Sequence, residues 1–127
     1  MFCNGVKGSV EETVMFYNSF GVDSIGPDQL IEKINSREDF YLLDVRTPAE
    51  NAAQAITGSH LIPLQELGYR MHELPKNKEI VVYCRVGNRS AYASAFLAKQ
   101  GYKVKNLEGG ILLWNTAGNV SKARVSR

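Results

Sequence analysis

The segment Glu79-Ile80-Val81-Val82-Tyr83-Cys84-Arg85-Val86-Gly87-Asn88-Arg89-Ser90, continued by Ala91-Tyr92-Ala93-Ser94-Ala95-Phe96-Leu97-Ala98, reads as strand, loop and helix in direct succession. Residues 79–83 form a β-branched, apolar run of the kind buried on both faces of a sheet. The alanine-rich stretch predicts a helix over 90–100, with Gly101 just past its end. Cys84 is therefore delivered from a strand into a short loop that faces a helix N-terminus. Backbone N–H groups point inward there, the helix dipole adds partial positive charge, and Arg85 and Arg89 add full charge. A thiol with an ordinary pKa of about 8.5 is drawn toward its thiolate in such surroundings. Gly87 permits a tight loop, and Ser90 is expected to cap the helix and to donate to the sulfur. A cysteine at a strand end also suits inert packing; the flanking cations and the helix start favour reactivity.

The same alternation extends in both directions from this segment. Gly26-Pro27-Asp28-Gln29-Leu30-Ile31-Glu32-Lys33-Ile34 opens a helix with proline in its first turn. Phe40-Tyr41-Leu42-Leu43-Asp44-Val45 is another continuous apolar run, ending near an acid. A short helix is expected from Pro48 to Ala55, a strand at His60-Leu61-Ile62, a helix from Leu64 to Leu74 despite Gly68, and a turn at 75–78. Tyr102 to Leu107 is a further strand, and Gly109-Gly110 leads into a short closing helix around Leu112–Trp114, with Trp114 in the core. Strands alternating with helices through short loops predict an α/β fold of three layers, a mainly parallel central sheet flanked by helices. Ligands of such sheets bind beyond the carboxyl ends of strands, so Asp44 and Cys84 fall on one rim.

The chain has 127 residues, 44% of them hydrophobic, enough for one domain with one core. Three segments are expected: an N-terminal extension over 1–23 with a short amphipathic helix from Ser9 to Tyr17, a domain over 24–118, and a basic, flexible tail over 119–127. A net charge of +2 argues against nucleic acid and membrane surfaces as partners. Cys3 and Cys84 cannot build a disulfide framework. Neither they nor His60 and His72 have metal-ligand spacing, so no metal or cofactor is expected. No apolar run suggests a signal peptide or a membrane span, and a working free thiol points to a reducing compartment, the cytoplasm.

Three stretches carry a family resemblance: Asp44-Val45-Arg46-Thr47-Pro48-Ala49-Glu50, the loop Cys84–Ser90, and Leu107-Glu108-Gly109-Gly110-Ile111-Leu112-Leu113-Trp114. In order and spacing they resemble the signatures of rhodanese-like domains. The resemblance implies a single-domain sulfurtransferase working through a persulfide on Cys84. An anionic donor such as thiosulfate would load it, and a thiol, a protein or cyanide would take the sulfur away. N–H groups of Arg85, Val86, Gly87, Asn88 and Arg89 would cradle the persulfide. The Arg85 and Arg89 side chains would orient the anion, though Arg89 is equally suited to closing the loop on carbonyls. Asp44 and Arg46 are expected to pair and brace the rim, and Glu50 to cap or pair within its short helix. Between Glu50 and Pro63 the chain departs from the family pattern, with Asn51, Gln54 and Ala55 at places usually held by other residues. Phosphatases and arsenate reductases of this fold carry a longer loop between cysteine and arginine; the four residues between Cys84 and Arg89 suit a sulfur atom better. A competing reading from another class is a sulfur carrier or protein-interaction module with a dedicated partner; under either reading the chain is expected to be a monomer.

Overall fold

The computed structural model describes residues 22–125, with residues 118–125 as helical backbone. The expected helix over Ser9–Tyr17, and Cys3, lie outside the described residues. The elements are β1 (Asp23–Ile25), α1 (Pro27–Asn35), β2 (Phe40–Asp44), α2 (Pro48–Ala53), β3 (His60–Leu61), α3 (Leu67–Arg70), β4 (Glu79–Tyr83), α4 (Asn88–Lys99), β5 (Val104–Leu107) and α5 (Gly110–Val125). All pairings in the sheet are parallel, in the order β1-β5-β4-β2-β3.

Strand alternation divides the core in two. Ile80, Val82 and Cys84 point to one face, where they pack with Leu43, Val45, Leu67, Ala93 and Leu97 beneath α3 and α4. Val81 and Tyr83 point to the other, against Leu30, Ile31, Ile111 and Trp114 of α1 and α5. This is the three-layer arrangement expected of the sequence. β4 sits at its centre because its apolar run is the one that must be covered from both sides, each fully buried aliphatic side chain contributing about 2 kcal/mol.

Several boundaries differ from the sequence expectation. β1 carries no periodicity, since three residues with one buried side chain, Ile25, give no repeat. The stretch from Leu64 to Leu74 is no single helix: 3-10 turns at Leu64–Glu66 and Met71–Glu73 flank the single α turn of α3, which contains Gly68. Helix α4 starts at Asn88, with Gly87 rather than Ser90 in the N-cap position. α5 runs on to Val125, across most of the expected flexible tail; Ala117, Lys122, Ala123 and Arg124 favour helix and no proline stops it. Among the described residues no helix is long and apolar enough to cross a membrane.

Candidate active site

Cys84 is the first residue beyond β4, and its register neighbours hold it firmly. Val45 N donates to Tyr83 O at 3.1 Å, which keeps the ends of β2 and β4 together. The chain then folds back so that three donors converge on the Cys84 Sγ: Gly87 N at 3.1 Å, Ser90 N at 3.3 Å and Ser90 Oγ at 3.3 Å. Gly87 makes this possible by its backbone, with φ of +109°, a region that strains any L side chain. Because Gly87 takes the N-cap position, Ser90 becomes the third residue of α4, where both its N–H and its hydroxyl reach the sulfur. Ser90 thus donates its N–H to the sulfur, with its hydroxyl also within reach of it, but does not cap the helix.

The third sequence signature forms the back of the same loop. Ile111 N donates to Cys84 O at 2.9 Å and Leu112 N to Arg85 O at 3.2 Å. A Cβ on Gly110 would lie 2.3 Å from Arg85 O and 2.6 Å from Cys84 O, closer than atoms can approach. The glycine is there so that the start of α5 can seat against the loop.

Charge at the rim is distributed differently from expectation. Arg89 does not turn toward the loop: its two terminal nitrogens donate to Glu50 Oε1 and Oε2 at 2.8 and 2.9 Å. Glu50 also accepts from Thr47 N at 3.0 Å and receives the Thr47 hydroxyl at 3.1 Å, closing a capping box at the start of α2. The guanidinium of Arg89 and the bond from Thr47 hold the Glu50 carboxyl at about 2, and the carboxylate in turn raises Arg89. The expected cap on Glu50 is present, but its ion pair reaches a helix distant in sequence. Arg85 is exposed and has no ion pair among the described residues, as are Val86 and Asn88 on the outer side of the loop.

Asp44 and Arg46 form a buried pair. Asp44, with no exposed surface, accepts from Arg46 N (2.9 Å), Nε (2.9 Å) and Nη2 (2.7 Å). Asn51 Nδ2 gives the carboxylate a further bond at 3.0 Å, and Arg46 Nη2 donates to Gln54 O at 2.6 Å. The guanidinium lies 5.3 Å from the centroid of the Tyr83 ring, whose hydroxyl accepts from Ile56 N at 3.0 Å and bonds Ser59 Oγ at 2.9 Å. Asn51 and Gln54, where the chain departs from the family pattern, are therefore the groups that complete this brace. Neither Asp44 nor Arg46 bonds Cys84. His60 stacks on Tyr41 with centroids 4.4 Å apart and takes no part in the loop. A cleft of about 490 Å3 opens beside the loop, between Val45–Thr47, Leu64–Gln65, Arg89 and Tyr92.

One buried residue of the site lies outside every motif of the sequence. Asn106 on β5 is buried and bonds both Ser90 and the Gly87 carbonyl. The available signal was its position, on the face of the strand shared with buried Val104, where an amide must find partners.

With this loop in view, similarity to known proteins becomes decisive. A family model described as the rhodanese-like domain matches residues 26–117. The chain belongs to the rhodanese-like domain family. It is 43% identical over 94 residues to a sulfurtransferase of Allochromatium vinosum, covering 73% of this chain and 88% of that one. Among solved structures, a rhodanese-related protein from Thermoplasma volcanium is 38% identical with a TM-score of 0.70, covering 76% of this chain and 93% of its own. A NAD-dependent persulfide reductase from A. fulgidus is 37% identical with a TM-score of 0.64; the match covers 80% of this chain but 17% of that one. The rhodanese-like fold and a sulfurtransferase function follow, with Cys84 at the position where the three signatures meet.

Proposed function

We propose that this rhodanese-like domain transfers a sulfane sulfur from a small anionic donor, thiosulfate being the type case, through a persulfide on Cys84. The observation that carries the proposal is the convergence of Gly87 N, Ser90 N and Ser90 Oγ on one sulfur atom. Donors aimed at a sulfur stabilise negative charge on it in the thiolate, and again on the inner sulfur when the persulfide forms and breaks. The thiolate attacks the outer sulfur of thiosulfate, the S–S bond of the donor breaks, and sulfite leaves with the electron pair. An acceptor thiolate or cyanide then attacks the outer sulfur of the persulfide and returns Cys84 as thiolate.

Cys84 retains 1% exposure, which favours a small donor with a terminal sulfur over a bulky one. With Arg89 neutralised by Glu50, attraction of the anion falls to Arg85 and to the loop amides, in place of the two-arginine clamp expected from sequence. Asp44 and Arg46 support the rim without touching the reacting atoms. A free thiol in this role suits a reducing compartment such as the cytoplasm, and one domain with one rim suits a monomer.

The test is thiocyanate formation from thiosulfate and cyanide, with Cys84→Ser as control. Turnover abolished by the substitution supports the proposal. Turnover that survives in Cys84→Ser refutes it. Sulfur loading without turnover points to a carrier that hands its sulfur to a dedicated protein.

A further inference from the structure

Asn106 spends both ends of its buried amide on the sulfur loop. Nδ2 donates to Gly87 O at 3.3 Å, and Oδ1 accepts from Ser90 Oγ at 2.5 Å. Chemistry fixes the direction of the amide: a backbone carbonyl only accepts, so the nitrogen must face Gly87 and the oxygen Ser90. Ser90 is fully buried and has a single hydroxyl proton. Two acceptors contend for it, Asn106 Oδ1 at 2.5 Å and Cys84 Sγ at 3.3 Å. While the proton lies on the shorter contact, Ser90 offers the sulfur only a lone pair. A neutral thiol satisfies that by donating its own S–H to Ser90, giving the chain Cys84 to Ser90 to Asn106. An anionic sulfur needs the Ser90 proton for itself, and taking it leaves Oδ1 without a donor in a buried site.

We propose that Asn106 is a positioning residue that competes with Cys84 for the Ser90 proton and so sets the pH at which Cys84 becomes nucleophilic. This rests on Cys84 being the reactive sulfur and is independent of what it transfers. The charged groups on the surrounding elements are Asp44 and Arg46 at the end of β2, Glu50 on α2, Arg85 and Arg89 at the loop, Lys105 on β5 and Glu108 in the turn before α5. A substitution at Asn106 changes the charge of none of them.

The test is the pH dependence of Cys84 alkylation by iodoacetamide, in a Cys3→Ser background so that a single thiol remains. Asn106→Leu is expected to lower the midpoint by about one pH unit, the size of one hydrogen bond gained by an anion. In a Ser90→Ala background the same substitution is expected to cause no further shift. A midpoint that stays or rises, or an equal fall with and without Ser90, overturns the proposal. Asn106→Asp covers the case in which the leucine variant fails to fold. Its carboxylate holds the Ser90 proton harder, so the midpoint rises, and the rise shrinks when Ser90 is alanine; a fall, or an undiminished rise, overturns it. Alkylation reads the thiol alone. Failure of thiosulfate to load Cys84 would therefore defeat the functional reading and leave this one standing, and an unshifted alkylation profile would do the reverse.

Discussion

Replacing Glu50 by glutamine separates the two jobs of the Arg89–Glu50 pair, bracing α2 against α4 and cancelling the charge of Arg89. The carboxyl moves from an ordinary 4.5 to about 2 in the folded chain. At neutral pH that displacement corresponds to about 3 kcal/mol. The pair is partly open, with side-chain exposures of 37% for Arg89 and 28% for Glu50, so solvent screening reduces the expected loss to about 1–2 kcal/mol. The sign follows from linkage. A carboxyl whose pKa is depressed by folding stabilises the fold above its unfolded pKa and loses that stabilisation as pH falls through the folded value. Urea unfolding of wild type and Glu50→Gln should therefore differ by about 1–2 kcal/mol at pH 7, and the gap should shrink by roughly half or more at pH 3. The freed Arg89 should also lower the KM for thiosulfate by about threefold. An equal gap at both pH values would refute the electrostatic reasoning, and no gap at pH 7 would show that the pair does not brace the fold.

Other substitutions test the remaining parts of the rim. Arg85→Ala should raise the KM for thiosulfate by roughly three- to tenfold and flatten its dependence on added salt, measured by steady-state kinetics at several ionic strengths. Gly110→Ala should cost about 2–4 kcal/mol, because its Cβ would meet the Arg85 carbonyl at 2.3 Å, and thermal melts should show the drop together with lost sulfur transfer. Asp44→Asn should cost about 3 kcal/mol or more by leaving the Arg46 guanidinium buried and unpaired, while any folded fraction keeps its Cys84 reactivity.

How much of this could be read in advance depended on whether the signal was local. β2 and β4 were legible because continuous apolar runs of about five residues have few other homes, and the loop from Cys84 to Arg89 was legible because strand, cysteine, glycine and helix follow one another. Helix α4 begins two residues before its expected start because a glycine at positive φ, not a serine side chain, ends the loop, and φ is not written in composition. The partnership of Arg89 with Glu50 spans 39 residues and depends on α2 lying beside α4, a tertiary fact. The Leu64–Leu74 stretch shows helical periodicity because Leu67 and Leu74 must be buried, yet Gly68 lies within it and only single turns form. Asn106 was open to discovery from strand alternation alone, and its partners were not.

The most direct test of the account is the mass of the intact protein after incubation with thiosulfate alone, followed by peptide mapping. The account predicts a gain of about 32 Da, one sulfur atom, located on Cys84, removed by cyanide and absent in Cys84→Ser. An unmodified Cys84, or the added sulfur found on Cys3 instead, would contradict it.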